Sequence, residues 1–487
     1  MLSHGFDGKG HAHALQVDNC KVFCVVSLGM RQAGLFQACG VIAAALLAIV
    51  PHAFGENPIP PLASELAPLH ERTGGGNLTA SESPSRAESL FEALAATGGS
   101  IVRLNSYGWR DAAGHPAPAT MDAAIGQAYA HKVTPILLLE YYQGRYASQT
   151  PQPIGSYEQW RTVGMALAAR FRPGGDWARQ HGVNGWGVTV YSAINEPDID
   201  NLIDKTAYHD ALAGLADGVH AIDPSLRVIP GGFATCNSAL DPTLRGYGTA
   251  IADLLNDRKL DGIDLHMYYH DRWFPIANGR DYSAQHCFDA VKRAAGITRD
   301  INYYSTEYDI AVDDKSGAVP DGPRAADEFI TAFWDQMGVV GDKGEPVTVA
   351  ALPWELGKMP GPEPQAYAMT ASIHPWHGDA RGELFRSLMR LAGGMHFVHA
   401  DPQHTGQFEL ADNNARLIVW QDRPNWTNDP GTSFHLTLSP DEHNVEVWSA
   451  QGLLQKTRCT THPTCEISGL TPGHTYMFRL QRSEASE

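Results

Sequence analysis

The run "GVTVYSAINEPD", Gly187–Asp198, begins as an apolar stretch of strand length and ends on an acid, Glu196, set between an amide and a proline. The apolar half reads as a buried strand, and Pro197, which cannot donate to a sheet ladder, marks where that strand runs out. In parallel α/β folds the C-terminal ends of the strands are where functional groups gather, so an acid at this point calls for an explanation.

Further runs of the same kind recur along the chain: "IVRLNSY" (Ile101–Tyr107), "PILLLEYY" (Pro135–Tyr142), "RVIPGG" (Arg227–Gly232), "GIDLHMYY" (Gly262–Tyr269), "INYYSTEY" (Ile301–Tyr308) and "VTVAALPWE" (Val347–Glu355). Amphipathic segments lie between them, among them Ala87–Thr97, Met121–Lys132, Tyr208–Ile222, Tyr247–Asp257 and Ala326–Met337. From Glu196 to Gly232, Tyr268 and Glu307 the steps are 36, 36 and 39 residues. That is the length of a βα unit, and regular alternation predicts a parallel sheet. With an eighth strand within Pro58–Leu78, the count is that of an α/β fold of the (β/α)8 TIM-barrel type over residues 56–394, ending in the helix Gly382–Gly394. A doubly wound open sheet competes, but no GxGxxG follows the first strand.

After Gly394 the pattern changes. Short strands, Gln407–Asp412, Ala415–Gln421, Ser433–Leu438, Asn444–Ala450 and Thr475–Gln481, follow one another without helices, which predicts a C-terminal β-sandwich domain over 395–487.

The 487 residues are 43% hydrophobic and carry a formal charge of −18, which disfavours nucleic acid or an anionic membrane as partner and fits a neutral ligand. Residues 1–55 read as an export signal with a preceding extension. Met30-Arg31 is followed by the ten-residue run "VIAAALLAIV" (Val41–Val50), too short to span a bilayer, and by the small-residue site "AFG" (Ala53–Gly55). Translation from Met30, a mature chain from about Glu56 and a secreted or periplasmic location are expected. Of seven cysteines, Cys236, Cys287, Cys459 and Cys465 lie beyond that signal, and an oxidising compartment allows a local Cys459–Cys465 bridge and a Cys236–Cys287 bridge, or four separate thiols. No CxxC or HExxH is present, so neither a metal nor a cofactor is expected.

Glu307, in "STEYD", repeats the setting of Glu196 three βα units later. On this strand count the two acids end the fourth and seventh strands, which face one another across a barrel mouth. Paired carboxylates are what glycosidic bond cleavage needs: a proton donor and, about 5–5.5 Å away, an ionised nucleophile.

With "INEPD" at the fourth strand, "HMYY" at the sixth and "STEYD" at the seventh, the chain resembles clan A of the retaining glycoside hydrolases. Its barrel followed by a sandwich most resembles family 39, including the exopolysaccharide-associated members. The resemblance runs from about Ala87 to the C-terminus. It implies that Glu196 is the acid/base, Glu307 the nucleophile and Asn195 a partner of the sugar 2-hydroxyl. Tyr268 or His266 would hold Glu307 ionised, Arg103 would lower its pKa and Trp354 would stack on a sugar face. Trp109, Tyr141, Tyr142 and Trp273 are further stacking candidates, and Glu140 and Glu355 are strand-end acids outside the pattern. The segment Gln143–Trp160 is expected to be a long loop that sets specificity. A hydrolase of neutral oligo- or polysaccharides is therefore expected. A non-catalytic carbohydrate-binding barrel would not need both acids. A uronic-acid hydrolase would want more cations than Arg103, Arg145 and Arg272.

Overall fold

The apolar runs become strands, and the order in which they pair decides which side chains meet. A computed structural model of the protein describes residues 67–79, 84–106, 109–111, 115–140, 154–198, 203–234, 246–269, 276–277, 280–281, 283–310, 322–354, 369–372, 376–400, 407–421, 432–460 and 462–482. The expected export signal, and Tyr141, Tyr142, Arg145, Cys236, Arg272, Trp273 and Glu355, lie outside these residues.

Gly74–Thr79 (β1), Ile101–Ser106 (β2), Thr134–Leu139 (β3), Val190–Asn195 (β4) and Arg227–Gly231 (β5) pair in chain order as one parallel sheet. The sixth run is interrupted, as Gly262–Asp264 (β6) and Met267–Tyr269 (β7). A ribbon of Ile276–Ala277 (β8) and Arg280–Asp281 (β9) follows. Asn302–Ile310 (β10) then pairs in parallel with β6 and β7 on one side and with Thr348–Pro353 (β11) on the other. The two parallel sheets meet at both edges. Thr73, just ahead of β1, bridges Ala351 of β11, and Phe233, just after β5, bridges Leu265 in the break between β6 and β7. Ile101, Ile136, Val190, Ile229, Tyr304, Ala350 and Leu352, drawn from six strands of both sheets, form one buried apolar cluster.

The connecting helices are Pro84–Thr97 (α1), Asp122–Ala130 (α2), Tyr157–Phe171 (α3), Asp176–Gln180 (α4), Lys205–Ile222 (α5), Tyr247–Ala250 (α6), Ala252–Asn256 (α7), Ala284–Ala294 (α8), Gly322–Met337 (α9) and Ala380–Ala392 (α10). Two expectations are corrected here. The segment expected as one helix, Tyr247–Asp257, breaks at Ile251 into α6 and α7. The end of the loop expected over Gln143–Trp160 is helical, because Ser156 and Gln159 cap α3 reciprocally, each side chain bonding the other's backbone N–H.

Two short strands, Thr370–Ser372 (β12) and His377–Gly378 (β13), precede α10. Beyond it, His396–Ala400 (β14), Gln407–Ala411 (β15), Ala415–Gln421 (β16), Ser433–Thr437 (β17), Glu442–Ser449 (β18), Gly452–Arg458 (β19), Thr464–Ser468 (β20) and Thr475–Arg482 (β21) are all antiparallel. Six form a sheet in the order β14-β15-β16-β21-β18-β19, while β17 and β20 pair separately. β16 explains how the sheet is covered. Leu417 and Val419 join the core shared with the helices, and the intervening Ile418 and Trp420 join a second cluster with Phe434, Leu436 and Ile467 from β17 and β20. Apolar residues on both faces are therefore buried, which is why "RLIVW" reads as a continuous run rather than an alternating one. α9 anchors the first face, where Gln421 Nε2 donates to Thr331 O at 2.9 Å. Cys459 and Cys465 form a disulfide between β19 and β20. Cys287 is buried on α8.

The described residues all fall within one compact unit, Glu56–Glu487. No helix among them is long and apolar enough to cross a membrane.

Candidate active site

A regular strand sends consecutive side chains to opposite faces, so Asn195 and Glu196 would not ordinarily share a site. β4 avoids this by distorting. Its register against β5 shifts between Ala193 and Asn195, and Ile194 and Glu196 take positive φ angles of 67° and 39°. For a β-branched residue such as Ile194 this is a strained conformation, of the kind that collects at functional sites. Two glycines make room for it. A Cβ on Gly231 would lie 2.1 Å from Ile194 O, and one on Gly232, at φ 86°, would lie 2.1 Å from His266 Nε2. Glu196 N–H donates to Gly232 O at 3.1 Å, which ties the turned strand end to β5.

β10 does something similar. Its pairing with β11 shifts between Ser305 and Tyr308, and both Thr306 and Glu307 reach the same network. Arg103, from the middle of β2, is fully buried and holds that network together. Its Nη1 donates to Asn195 Oδ1 at 3.1 Å and Thr306 Oγ1 at 3.0 Å and lies 3.2 Å from His266 Nε2. Its Nη2 bonds Glu307 Oε1. Tyr268 O–H donates to the other oxygen of Glu307 at 2.8 Å. His266 lies in the break between β6 and β7, with Nδ1 2.8 Å from Glu196 Oε1 and 3.5 Å from Glu307 Oε2. Thr306 bonds Asp264 through both its N–H (2.9 Å) and its hydroxyl (2.7 Å).

The electrostatics follow from this packing. Burial pushes the Glu307 carboxyl up, but the charges of His266 and Arg103, with hydrogen bonds from Tyr268 and Arg103, override it and hold the group below the usual carboxylate range. Burial lowers the proton affinity of His266, yet Glu307 and Glu196 beside it raise the pKa to about 9. Burial and the neighbouring acids push the Tyr268 phenol well above its ordinary value, so it remains a donor. Glu307 is thus ionised at neutral pH. With its pKa raised to about 9, His266 carries a proton at neutral pH, and its Nδ1 lies 2.8 Å from Glu196 Oε1 in a buried hydrogen bond.

One atom each of Glu196, His266 and Glu307 lie within 4.8 Å of one another, a spacing that a metal ion would accept. The rest of the shell does not favour one. Both oxygens of Glu307 already accept hydrogen bonds, and the Arg103 cation stands beside them.

Among the other expected residues, Trp354 is half-buried at the end of β11, its backbone N–H donating to Tyr308 O. Trp109 is a correction. It is 2% exposed, packs against Trp160 with ring centroids 4.6 Å apart and donates its indole N–H to Glu140 O, so it belongs to the core rather than to a sugar platform. Glu140 is buried at the end of β3, and its charge raises the pKa of Arg103. Thr306 and Asp264 were not singled out from the sequence. The signal available was the polar Asp264 inside the apolar run "GIDL".

No known family model matches the chain, and no curated protein matches it in sequence. Solved structures of TIM-barrel glycoside hydrolases share its fold. The family 39 enzyme from Xanthomonas axonopodis pv. citri is 16% identical at a TM-score of 0.52 and covers 86% of this chain and 96% of its own. A glucosidase from Croceicoccus marinus is 12% identical at 0.55 and covers 87% and 98%. The family 51 α-L-arabinofuranosidase AbfB from Bifidobacterium longum is 14% identical at 0.51 and covers 86% and 98%. At these identities the likeness is one of fold.

Proposed function

We propose that the protein is a retaining glycoside hydrolase acting on a neutral oligo- or polysaccharide. Its catalytic unit, residues 56–394, would be a closed (β/α)8 barrel, followed by a β-sandwich domain over 395–487. The bridges at both sheet edges and the apolar cluster between the sheets support closure. The ribbon β17/β20 packed over the six-stranded sheet supports the sandwich. That solved glycoside hydrolases share the fold supports the reaction class.

The observation that carries the mechanism is the approach of the two carboxylates, with an oxygen of each within 4.8 Å. Inverting enzymes keep their acids about 6.5–9.5 Å apart to admit a water and retaining ones about 5–5.5 Å, so this close approach supports retention. Glu307, held ionised by Arg103 and Tyr268, attacks the anomeric carbon. As the glycosidic bond breaks, Glu196 delivers to the leaving oxygen a proton that it takes from His266 across their hydrogen bond, leaving the imidazole neutral. A glycosyl ester on Glu307 results. Glu196 then takes a proton from water and returns it to His266 while the hydroxide attacks the same carbon, releasing the sugar with its configuration retained and the Glu307 carboxylate restored. Asn195, whose Oδ1 accepts from Arg103, would bond a sugar hydroxyl, and Trp354 would stack on a sugar face. The guanidinium of Arg103 is committed to Glu307, which favours a neutral sugar over a uronic acid.

The test is a panel of aryl glycosides and polysaccharides, with proton NMR of the first-formed anomer. Retention is expected. Glu307→Gln should abolish turnover, and azide should rescue Glu196→Gln on activated aryl glycosides as a glycosyl azide of retained configuration. An inverted first product would overturn the mechanism. Export is proposed as well, and N-terminal sequencing of protein from the native cell should find a start near Glu56.

A further inference from the structure

The parallel strands have a second end. The residues that begin them line a cavity of about 830 Å3, on the side away from Glu196 and Glu307. A volume of this order is typical of small-ligand sites. Its apolar lining includes Ile101, Ile136, Val190 and Ala350 of the inter-sheet cluster. Arg72, Lys132 and Arg227 supply three cations, against one acid, Glu71, among the described lining residues. In a chain of net charge −18 this local excess of positive charge runs against the average.

Arg72 is the informative residue. It is 2% exposed, its Nε donates to Thr348 O at 2.8 Å, and its buried Nη2 has no hydrogen-bond partner. Arg227, in the same cavity, is different, because it is paired with Asp261 at 3.4 Å. Among the described residues no carboxylate stands beside Arg72; a buried guanidinium with an orphan N–H is costly, and burial pushes its pKa down to about 10. Lys132, exposed at the turn between α2 and β3, adds a second positive charge at its rim.

We propose that this cavity binds a small amphiphilic carboxylate, its head group against Arg72 and Lys132 and its short aliphatic chain along Ile101, Ile136 and Val190. The apolar lining favours an organic monoanion over a free inorganic ion. The site is separate from the proposed glycosidase centre and does not depend on it.

Calorimetric titration of the full chain with hexanoate tests the proposal, with hexanamide and inorganic phosphate as controls. Hexanoate should bind with a dissociation constant below about 1 mM, and the isosteric neutral amide at least tenfold more weakly, the difference that one charge-assisted contact supplies. Lys132→Asn removes the rim charge at a position, φ 59°, that asparagine tolerates, and should weaken hexanoate about fivefold. Arg72→Met should abolish binding. Equal affinity for hexanamide, unchanged hexanoate affinity in Lys132→Asn or a folded Arg72→Met, or phosphate binding as tightly as hexanoate would each overturn the proposal.

Discussion

Two buried arginines, one serving each end of the parallel strands, behave in opposite ways. Arg103 is surrounded by Glu307, Glu140, Asp264 and Glu196, and despite burial its pKa is raised. Arg72 has no acid among its influences, and its pKa is lowered. The same residue type at the same depth therefore stabilises the fold at one end and opposes it at the other. Burial does not set the sign; the partner does.

The largest effect is expected from breaking the paired end. Arg103→Met leaves Glu307 buried without its guanidinium, which should cost about 3–5 kcal/mol in denaturant unfolding. The Glu307 pKa should also rise, so the acid limb of any pH–activity profile should move to higher pH. An unchanged acid limb in a folded variant would show that Arg103 does not control that ionisation.

His266 sharpens the same point through pH. Its folded pKa of about 9 lies above the unfolded value near 6.5, so its stabilisation is complete below about pH 6.5 and is lost as the pH rises through 9. The difference corresponds to up to about 3 kcal/mol. Urea midpoints from pH 6 to 10 should fall for the wild type and fall less for His266→Asn. Parallel curves would place the proton elsewhere.

A covalent constraint gives a reference of a different kind. The Cys459–Cys465 disulfide closes a loop with a sequence separation of 6, and chain entropy assigns such a loop about 2 kcal/mol. Cys459→Ser with Cys465→Ser should lower stability by that amount without the pH dependence seen at His266.

The smallest effect is expected at the unpaired end. Arg72→Met gives up one hydrogen bond to Thr348 O and relieves an uncompensated charge, so stability should fall by no more than about 1 kcal/mol, and rises where relief of the charge outweighs the bond. A loss as large as that of Arg103→Met would erase the contrast between the two ends.

Much of this was legible before any coordinates. The strand runs, the 36- to 39-residue steps and the two strand-end acids follow from local composition and spacing, because buried strands are mostly apolar and acids are met more readily where they end. The Ser156–Gln159 capping box also stands in the sequence, inside a segment whose length and composition read as loop. The break at Leu265–His266 was not legible, since "GIDLHMYY" looks like one uninterrupted strand. Nor was the burial of Trp109, which depends on Trp160, some fifty residues along the chain.

The sequence by itself determined the alternation of elements, the change to an all-β pattern after Gly394 and the identity of the acids, all set by neighbours close along the chain. Only the tertiary structure decided how those acids are governed. The positive φ of Ile194 and Glu196, the space left by Gly231 and Gly232, and the choice of Glu196 rather than Glu307 as the nearer partner of His266 all arise where β4, β5 and β6 come together. Charge and strain depend on distances across the fold, and a linear pattern carries no such distances.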